Sequence, residues 1–559
     1  MVLLRSTLLT TLLLGCAPDP EPGCINGLDL NADGVCDRES ADWTAAATVP
    51  EGSDRHNIYD LSEEDLAETT AIGLRQAGAW PVNISGVMLP AESFATLFEV
   101  DTQDPERESF QTLARNALGF GTLDEMARWL GLAAYPDDGS VPIPEGVGAG
   151  DPMGMGTIDT EWGPAFSVSC HACHTTELFG HVVVGLTNRR TRANEFFHLA
   201  SQFFPIFPAS MYQELTGATE AELVLFQRAQ TNLPAVGGRV PMARGLDTSL
   251  GQVGLSLARR EDDAWATRNP AWEADPRESL FDDYVADSKP AVWWTLRYKT
   301  RWLSDGSVVS GNPIFTNFLW NELGRGTDLH DLEGWLGENG AAVDALTVAV
   351  FNTPAPHWWE ILPDYPIDVE AAKRGEVVFE ANCSGCHGHY TKGWSEGLTD
   401  EAALGTVAVS YAATTQAVGV GTDPQRAAGM ADFADALNDL VISQSAGTVV
   451  TVQEGYVPPP LDAIWARFPY LHNGSVPSLC ALLSPAAERP ASFVVGPPND
   501  ATTDFDAACV GLPETPPAAW LDDPDNVVDT TIPGLGNQGH EVIVDEADRA
   551  DLIELLKTL

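Results

Sequence analysis

Positive charge is scarce in this chain: 30 Lys and Arg stand against 80 Asp and Glu, a formal net charge of −50. Nucleic acid and anionic lipid both need a basic face to hold their phosphates, so this composition argues against either as a partner. The excess acid reads first as a well-solvated surface and second as an attraction for a basic redox protein. Long apolar runs are missing too. Beyond the N-terminal leader no stretch reaches about 18 continuous apolar residues, which excludes a permanent transmembrane helix there. Sustained alternation of apolar and polar residues is rare, so large sheets are not expected. Cysteine is sparse, nine in 559 residues, and the placement of those nine carries most of the information.

Two of them stand in "VSCHACHTTE" as Cys170-x-x-Cys173-His174, and two in "EANCSGCHGH" as Cys383-x-x-Cys386-His387. This is the pattern of covalent c-type haem attachment. Thiols one helical turn apart can add to the two vinyl groups on one porphyrin edge, and the next histidine then ligates iron from the proximal side. The competing readings are a split zinc site and a thioredoxin-like redox pair. Zinc-binding Cys-x-x-Cys pairs usually lie within about 20 residues of each other, whereas these are far apart and each carries its own trailing histidine. Two covalently bound haem c groups are therefore expected, with His174 and His387 as iron ligands.

The leader "MVLLRSTLLTTLLLGCAPDPEP" combines Arg5, a short apolar run and Leu13-Leu14-Gly15-Cys16. The run is too short to span a bilayer, and it resembles a bacterial lipoprotein signal over residues 1–16, with Cys16 as the lipid-bearing residue. That predicts an exported lipoprotein, on the periplasmic side or at the outer membrane, held by the lipid on Cys16 alone. Export agrees with the haem reading, because c-type haem is attached outside the cytoplasm. Lipid and haem account for five cysteines and leave Cys24, Cys36, Cys480 and Cys509. In an oxidising compartment two local pairs, Cys24–Cys36 and Cys480–Cys509, are expected, although other pairings satisfy the count.

Residues 17–55 read as an acidic tether rich in Pro, Gly and Asp. Within it Asp29, Asn31, Asp33, Gly34 and Asp37 are spaced as a calcium loop. Ser40 stands where an EF-hand has its bidentate Glu, so the choice is between a short extracellular-type calcium loop and a solvated acidic turn. A first haem c domain is expected over 56–360, with helices in "SEEDLAETTAIGLRQAG" and "TEAELVLFQRAQTNL" between Gly/Pro-punctuated loops. The proline-rich "FNTPAPHWWEILPDYP" marks a boundary, and a second haem c domain follows over 361–559. There Val369, Ala372, Val377 and Phe379 lie along a helical face leading into the second motif. Gly375 in mid-helix predicts the close approach of another helix. The candidate partner is "DEADRADLIELLKTL", with Asp545 as cap and Ala550, Ile553 and Leu556 at helix spacing. The fold class expected is mainly α: two cytochrome c-like haem domains with long irregular loop insertions.

Several strings carry a family likeness. "IWARFPYLHNGSVPSL" and "GNQGHEVIVDEADRADLIELLKTL" resemble the bacterial di-haem cytochrome c peroxidase superfamily, and above all its branch containing the rubber oxygenases. "CHACHTTELFGHVVVGLTN", "PAVWWTLRYKTRWLSDG" and "VGVGTDPQRAAGM" are similar to the same branch. The wide separation of the two haem motifs also favours that branch over the compact peroxidases.

The resemblance implies that His540 is the distal ligand of the second haem, opposite His387; Met430 is the runner-up, since thioether ligation is common in cytochromes c. His472 matches the family's motif histidine near the haems, with a structural hydrogen bond as its other reading. Trp294, with Trp293, falls where the branch carries a tryptophan near the haems, either to carry electrons or to fill core. Arg189 and Arg190 are candidates to pair with haem propionates. His174 has no evident distal partner, since His181 is too near in sequence to wrap over the ring. The first haem is thus expected to be the open, reactive one, with His174, His472 and Trp294 as candidate catalytic residues. The second haem would relay electrons. The implied function is a peroxidase-like oxidoreductase served by a small redox protein or another oxidisable substrate. The alternatives are an oxygenase acting on an apolar substrate and a non-catalytic electron carrier.

Overall fold

A computed structural model describes residues 41–431, 434–542 and 544–559. Helix occupies 43% and strand 11%, more helix than the roughly one third of an average domain, so the expectation of a mainly helical chain with irregular loops holds. Among the described residues no sheet exceeds three strands, as the lack of alternating runs predicts.

Two helix pairs position the site. Helix α1 (Glu63–Ala79) begins at Ser62, whose side chain accepts the Asp65 N–H, and Glu63, Glu64 and Asp65 complement the positive end of the helix dipole. It packs on α2 (Leu329–Asn352), which is capped by Asp328 and kinked at Asn339. Helices α3 (Val369–Asn382) and α4 (Glu546–Leu556) form the second pair. Asp545 caps α4 by accepting the Asp548 N–H at 2.9 Å, as expected.

The crossing of α3 and α4 falls at Gly375, where a Cβ would overlap the Asp551 carbonyl. The face of α3 differs from the one expected. Ala371, Ala372, Gly375 and Phe379 are buried, whereas Val377 is 71% exposed. Two residues from Gly375 is roughly 200° around a helix of 3.6 residues per turn, so Val377 points away from the contact. Ala550 is likewise exposed, and α4 buries Leu552, Ile553, Leu555 and Leu556. A Gly375→Ala variant is expected to lose about 1–3 kcal/mol in denaturant unfolding. The overpacking outweighs the gain of roughly 1 kcal/mol in helix propensity.

The largest core cluster joins Leu178, Leu186 and Trp294 to Trp358, Phe379, Trp465 and Leu552, so packing runs through the proline-rich 351–366 stretch. Trp358 is buried there, its ring 5.5 Å from Trp465. Residues 41–55, expected as the end of a tether, also lie on the body. Ala47 and Val49 are buried, the Val49 N–H donates to Ala413 O at 2.9 Å, and the Arg55 guanidinium sits against the rings of Trp43, Trp302 and Phe351. That apolar and cation–π contact is what a free tether would lack. The leader and Cys16, the Cys24–Cys36 pair and the candidate calcium residues Asp29, Asn31, Asp33 and Asp37 lie outside the described residues. The Cys480–Cys509 disulfide is formed. Among the described residues no helix is long and apolar enough to cross a membrane.

Candidate functional site

The first motif follows the hairpin of Met155–Thr160 and Gly163–Val168. His171–His174 make a single helical turn, with the His174 N–H donating to Cys170 O at 3.0 Å. That turn separates Cys170 and Cys173 by three residues, the spacing that thioether attachment uses. The hairpin of Thr175–Leu178 and His181–Val184 then carries the chain away, and His181 is exposed on it. The Nδ1 of His174 donates to Ala291 O at 2.9 Å. A carbonyl can only accept, so the lone pair is left on Nε2, the arrangement of a metal-ligating histidine with a fixed tautomer. Burial lowers the His174 pKa and favours the neutral ring.

Trp293 lies beside this imidazole, ring centroids 5.5 Å apart, and 6.1 Å from His171. Trp294 faces elsewhere: its Nε1–H donates to Asp462 O at 2.9 Å and its ring belongs to the largest core cluster. Of the two tryptophans the structure brings Trp293, not Trp294, to the first motif.

The second motif ends α3. Ser384–His387 make one turn, the His387 N–H donates to Cys383 O at 3.0 Å, and the His387 Nδ1 donates to Pro459 O at 2.8 Å. The two motifs thus share one design, a main-chain carbonyl fixing the ring. His540 faces His387 with ring centroids 6.1 Å apart and planes at 62°. With metal–imidazole bonds of about 2 Å, two rings sharing one metal stand about 6 Å apart. His540 has φ +49 and is clamped from both sides. Its N–H donates to Val420 O at 2.9 Å, and Arg489 donates to His540 O at 3.2 Å and Gly539 O at 2.8 Å. The His540 Nδ1 is buried without a hydrogen-bond partner. Burial lowers both pKa values, that of His387 to about 4, so both rings are neutral and able to bind metal.

These residues line a cavity of about 910 Å³ together with Cys383, Cys386 and His472, at the upper end of the roughly 300–1,000 Å³ usual for cofactor sites. His472 stacks on Tyr456 with centroids 3.7 Å apart. Its Nε2 is buried without a partner, and burial pushes its pKa down to about 3. His472 therefore lines the same cavity as His387 and His540, whose wall also includes Ala291. Met430 is fully buried in a different core cluster and does not line the cavity; the histidine, not the thioether, is what meets His387. Arg189 donates to Ala466 O at 3.0 Å with its guanidinium 3.7 Å from the Phe468 ring centre. Arg190 reaches Asn526 Oδ1 and Val495 O.

The rival chemistries fit less well. Burial pushes Cys170 and Cys383 up to about 11 and Cys173 to about 12, opposite to the depressed thiol of a redox dithiol. Among the described residues no group of three or more His, Cys, Asp or Glu converges as a metal cluster, so the motifs do not form a joint zinc site. Sequence reasoning missed the Ala291 and Pro459 carbonyls, which leave no side-chain signal. It also missed Lys289 and Lys299 on the cavity wall. Their signal was a local run of basic residues, Lys289, Arg297, Lys299 and Arg301, in a chain poor in them.

Residues 455–494 match a family model described as RoxA-like, cytochrome c-like. That segment holds Pro459, Arg467, Tyr470 and His472, one wall of the cavity. The match supports a haem c site and, with it, haem-based oxidoreductase or oxygenase chemistry. The chain is 32% identical over 178 residues to the uncharacterized protein y4iM of Sinorhizobium fredii, over 28% of this chain and 37% of that protein. It is 30% identical over 252 residues to the uncharacterized protein y4iJ of the same organism, over 34% of this chain and 39% of that protein. Less than two fifths of either relative is spanned.

Proposed function

We propose that the protein is a di-haem c-type oxidoreductase. The haem on Cys170, Cys173 and His174 is the reactive one, and the haem on Cys383, Cys386 and His387, with His540 opposite, is the electron relay. An iron with an open axial position can bind and activate peroxide or dioxygen, whereas one held by two protein ligands is confined to passing electrons. The observation carrying the assignment is the contrast between the rings next to the two proximal histidines. His387 faces an imidazole at 6.1 Å. The ring beside His174 is Trp293, and an indole N–H is a donor that cannot ligate iron.

In this reading the protein's own groups orient and tune. The Ala291 and Pro459 carbonyls hold the Nδ1 protons, fix both proximal rings and raise their basicity. Trp293 takes the place beside the reactive motif that was expected of Trp294, and His472 acts within the relay cavity. A small redox protein is the electron partner, and export with a lipid on Cys16 belongs to the same proposal.

Optical and EPR spectra of the matured protein test the reading. One low-spin haem and one high-spin, ligand-accessible haem are expected, with hydrogen peroxide turned over at the expense of a reduced cytochrome. The RoxA-like match of 455–494 favours a second reading, oxygenation of an apolar substrate; inertness to peroxide with oxygen uptake on polyisoprene would establish it. Two low-spin haems closed to added ligands, even after partial reduction, would leave an electron carrier.

A further inference from the structure

The cavity that holds His387 and His540 is walled by more positive charge than its surroundings neutralise. Lys299 lines it, is only 9% exposed, and its ammonium has no hydrogen-bond or ion-pair partner among the described residues. Lys289 spends two donors on the carbonyls of Arg467 and Pro469 and keeps a third. Arg467 is 5% exposed; it donates to Pro460 O and Asp462 O, while its Nε is buried without a partner. Two carboxylates are nearby: Asp462 offsets part of the Arg467 charge, and neither answers the two lysines. Asp462 neighbours Arg467 from outside the lining, and Glu541 on the rim is exposed and accepts the Ala486 N–H. Burying an ammonium without a counter-ion is costly, so two such lysines beside a guanidinium only partly offset mark a site for an anion.

We propose that this end of the cavity is a carboxylate-binding site, with Lys299 as its free cation and Lys289 and Arg467 beside it. The carboxylates it takes are the propionates of the haem tied to Cys383 and Cys386. The proposal rests on the haem reading above and adds to it the residues that anchor the polar edge of the group. It places the propionate partners on the 289–304 and 455–472 segments, not on Arg189 and Arg190. Burial, with the nearby charges of Arg467 and, for Lys289, of Arg189, pushes Lys299 to about 8 and Lys289 to about 7; a neighbouring anion would oppose both shifts.

The test uses the matured protein and its Lys299→Met and Lys299→Arg variants. Haem mass on the 383–387 peptide is measured first, so a failure of the haem reading appears there and is not confused with a failure of this one. Removing a positive charge beside the propionates disfavours adding an electron. The reduction equilibrium constant of the six-coordinate haem should therefore fall about tenfold in Lys299→Met, about 59 mV for one electron, and recover in Lys299→Arg. The propionate-bending band in resonance Raman should move in the first variant and return in the second, a signature that a merely structural lysine would not give. Lys289→Met, read by the same band, serves should Lys299→Met fail to accumulate. An unchanged band and potential in the Met variant overturn the proposal. So does a saturable response to added succinate that requires Lys299 while the band stays fixed, since the site would then serve a free carboxylate.

Discussion

Replacing His540 with alanine is expected to convert the low-spin haem of His387 into a high-spin one that binds carbon monoxide or cyanide, with covalent haem content unchanged. The low-spin signal should fall from essentially the full complement of that haem to a minor fraction, and added imidazole should restore it. The side chain is the sole change needed, because the loop is held through its own main-chain groups: the His540 N–H donates to Val420 O and the His540 O accepts from the Arg489 guanidinium. Arg489 also donates to Asn537 O and Gly539 O, so the chain stays in place when the ring is removed. Met430→Ala is the matched control. Met430 sits in a separate core cluster, so its truncation should cost about 2–5 kcal/mol of stability and leave the spectrum as it was. If the two variants exchanged these outcomes, the axial assignment would be wrong.

The second large effect separates the two haems. Cys170→Ser with Cys173→Ser should leave one covalent haem by intact mass, abolish the high-spin signal and reduce peroxide or oxygen turnover to background. Cys383→Ser with Cys386→Ser should also leave one haem, but the high-spin signal should survive while turnover with a protein electron donor falls at least tenfold. The asymmetry is the informative part. Equal losses of the high-spin signal in both pairs would mean that neither centre is dedicated to reaction.

What could be read from the chain, and what could not, follows from how each feature is encoded. Gly375 and Asp545 act through side-chain identity at fixed local positions and were legible, as was the one-turn spacing from Cys383 to His387. His540 needed a family likeness, because nothing local to "GNQGHEV" says that its ring will stand opposite a residue more than 150 positions earlier. The Ala291 and Pro459 carbonyls were invisible, since every residue has one. Trp293 and Trp294 open a short 3-10 helix, where neighbouring side chains point to different sides; composition cannot choose between them, and only one reaches His174. Val377 failed for a simpler reason: it is apolar and two positions from Gly375, and helical geometry turns it outward. Residues 41–55 looked like a linker by composition, yet Ala47, Val49 and Arg55 suffice to seat them.

The cavity beside the second motif has walls at Thr187, Lys289, Cys383, Tyr456, His540 and Leu556, and α4 closes it. Its surround is therefore gathered from about two thirds of the polypeptide, from Thr187 to Leu556, and is incomplete until the last turns are made. A porphyrin joined to Cys383 and Cys386 on a newly delivered strand would wait, one face bare, for the tail to arrive. In the haem reading proposed above, the cofactor would precede the closed protein and the tail would dock around it.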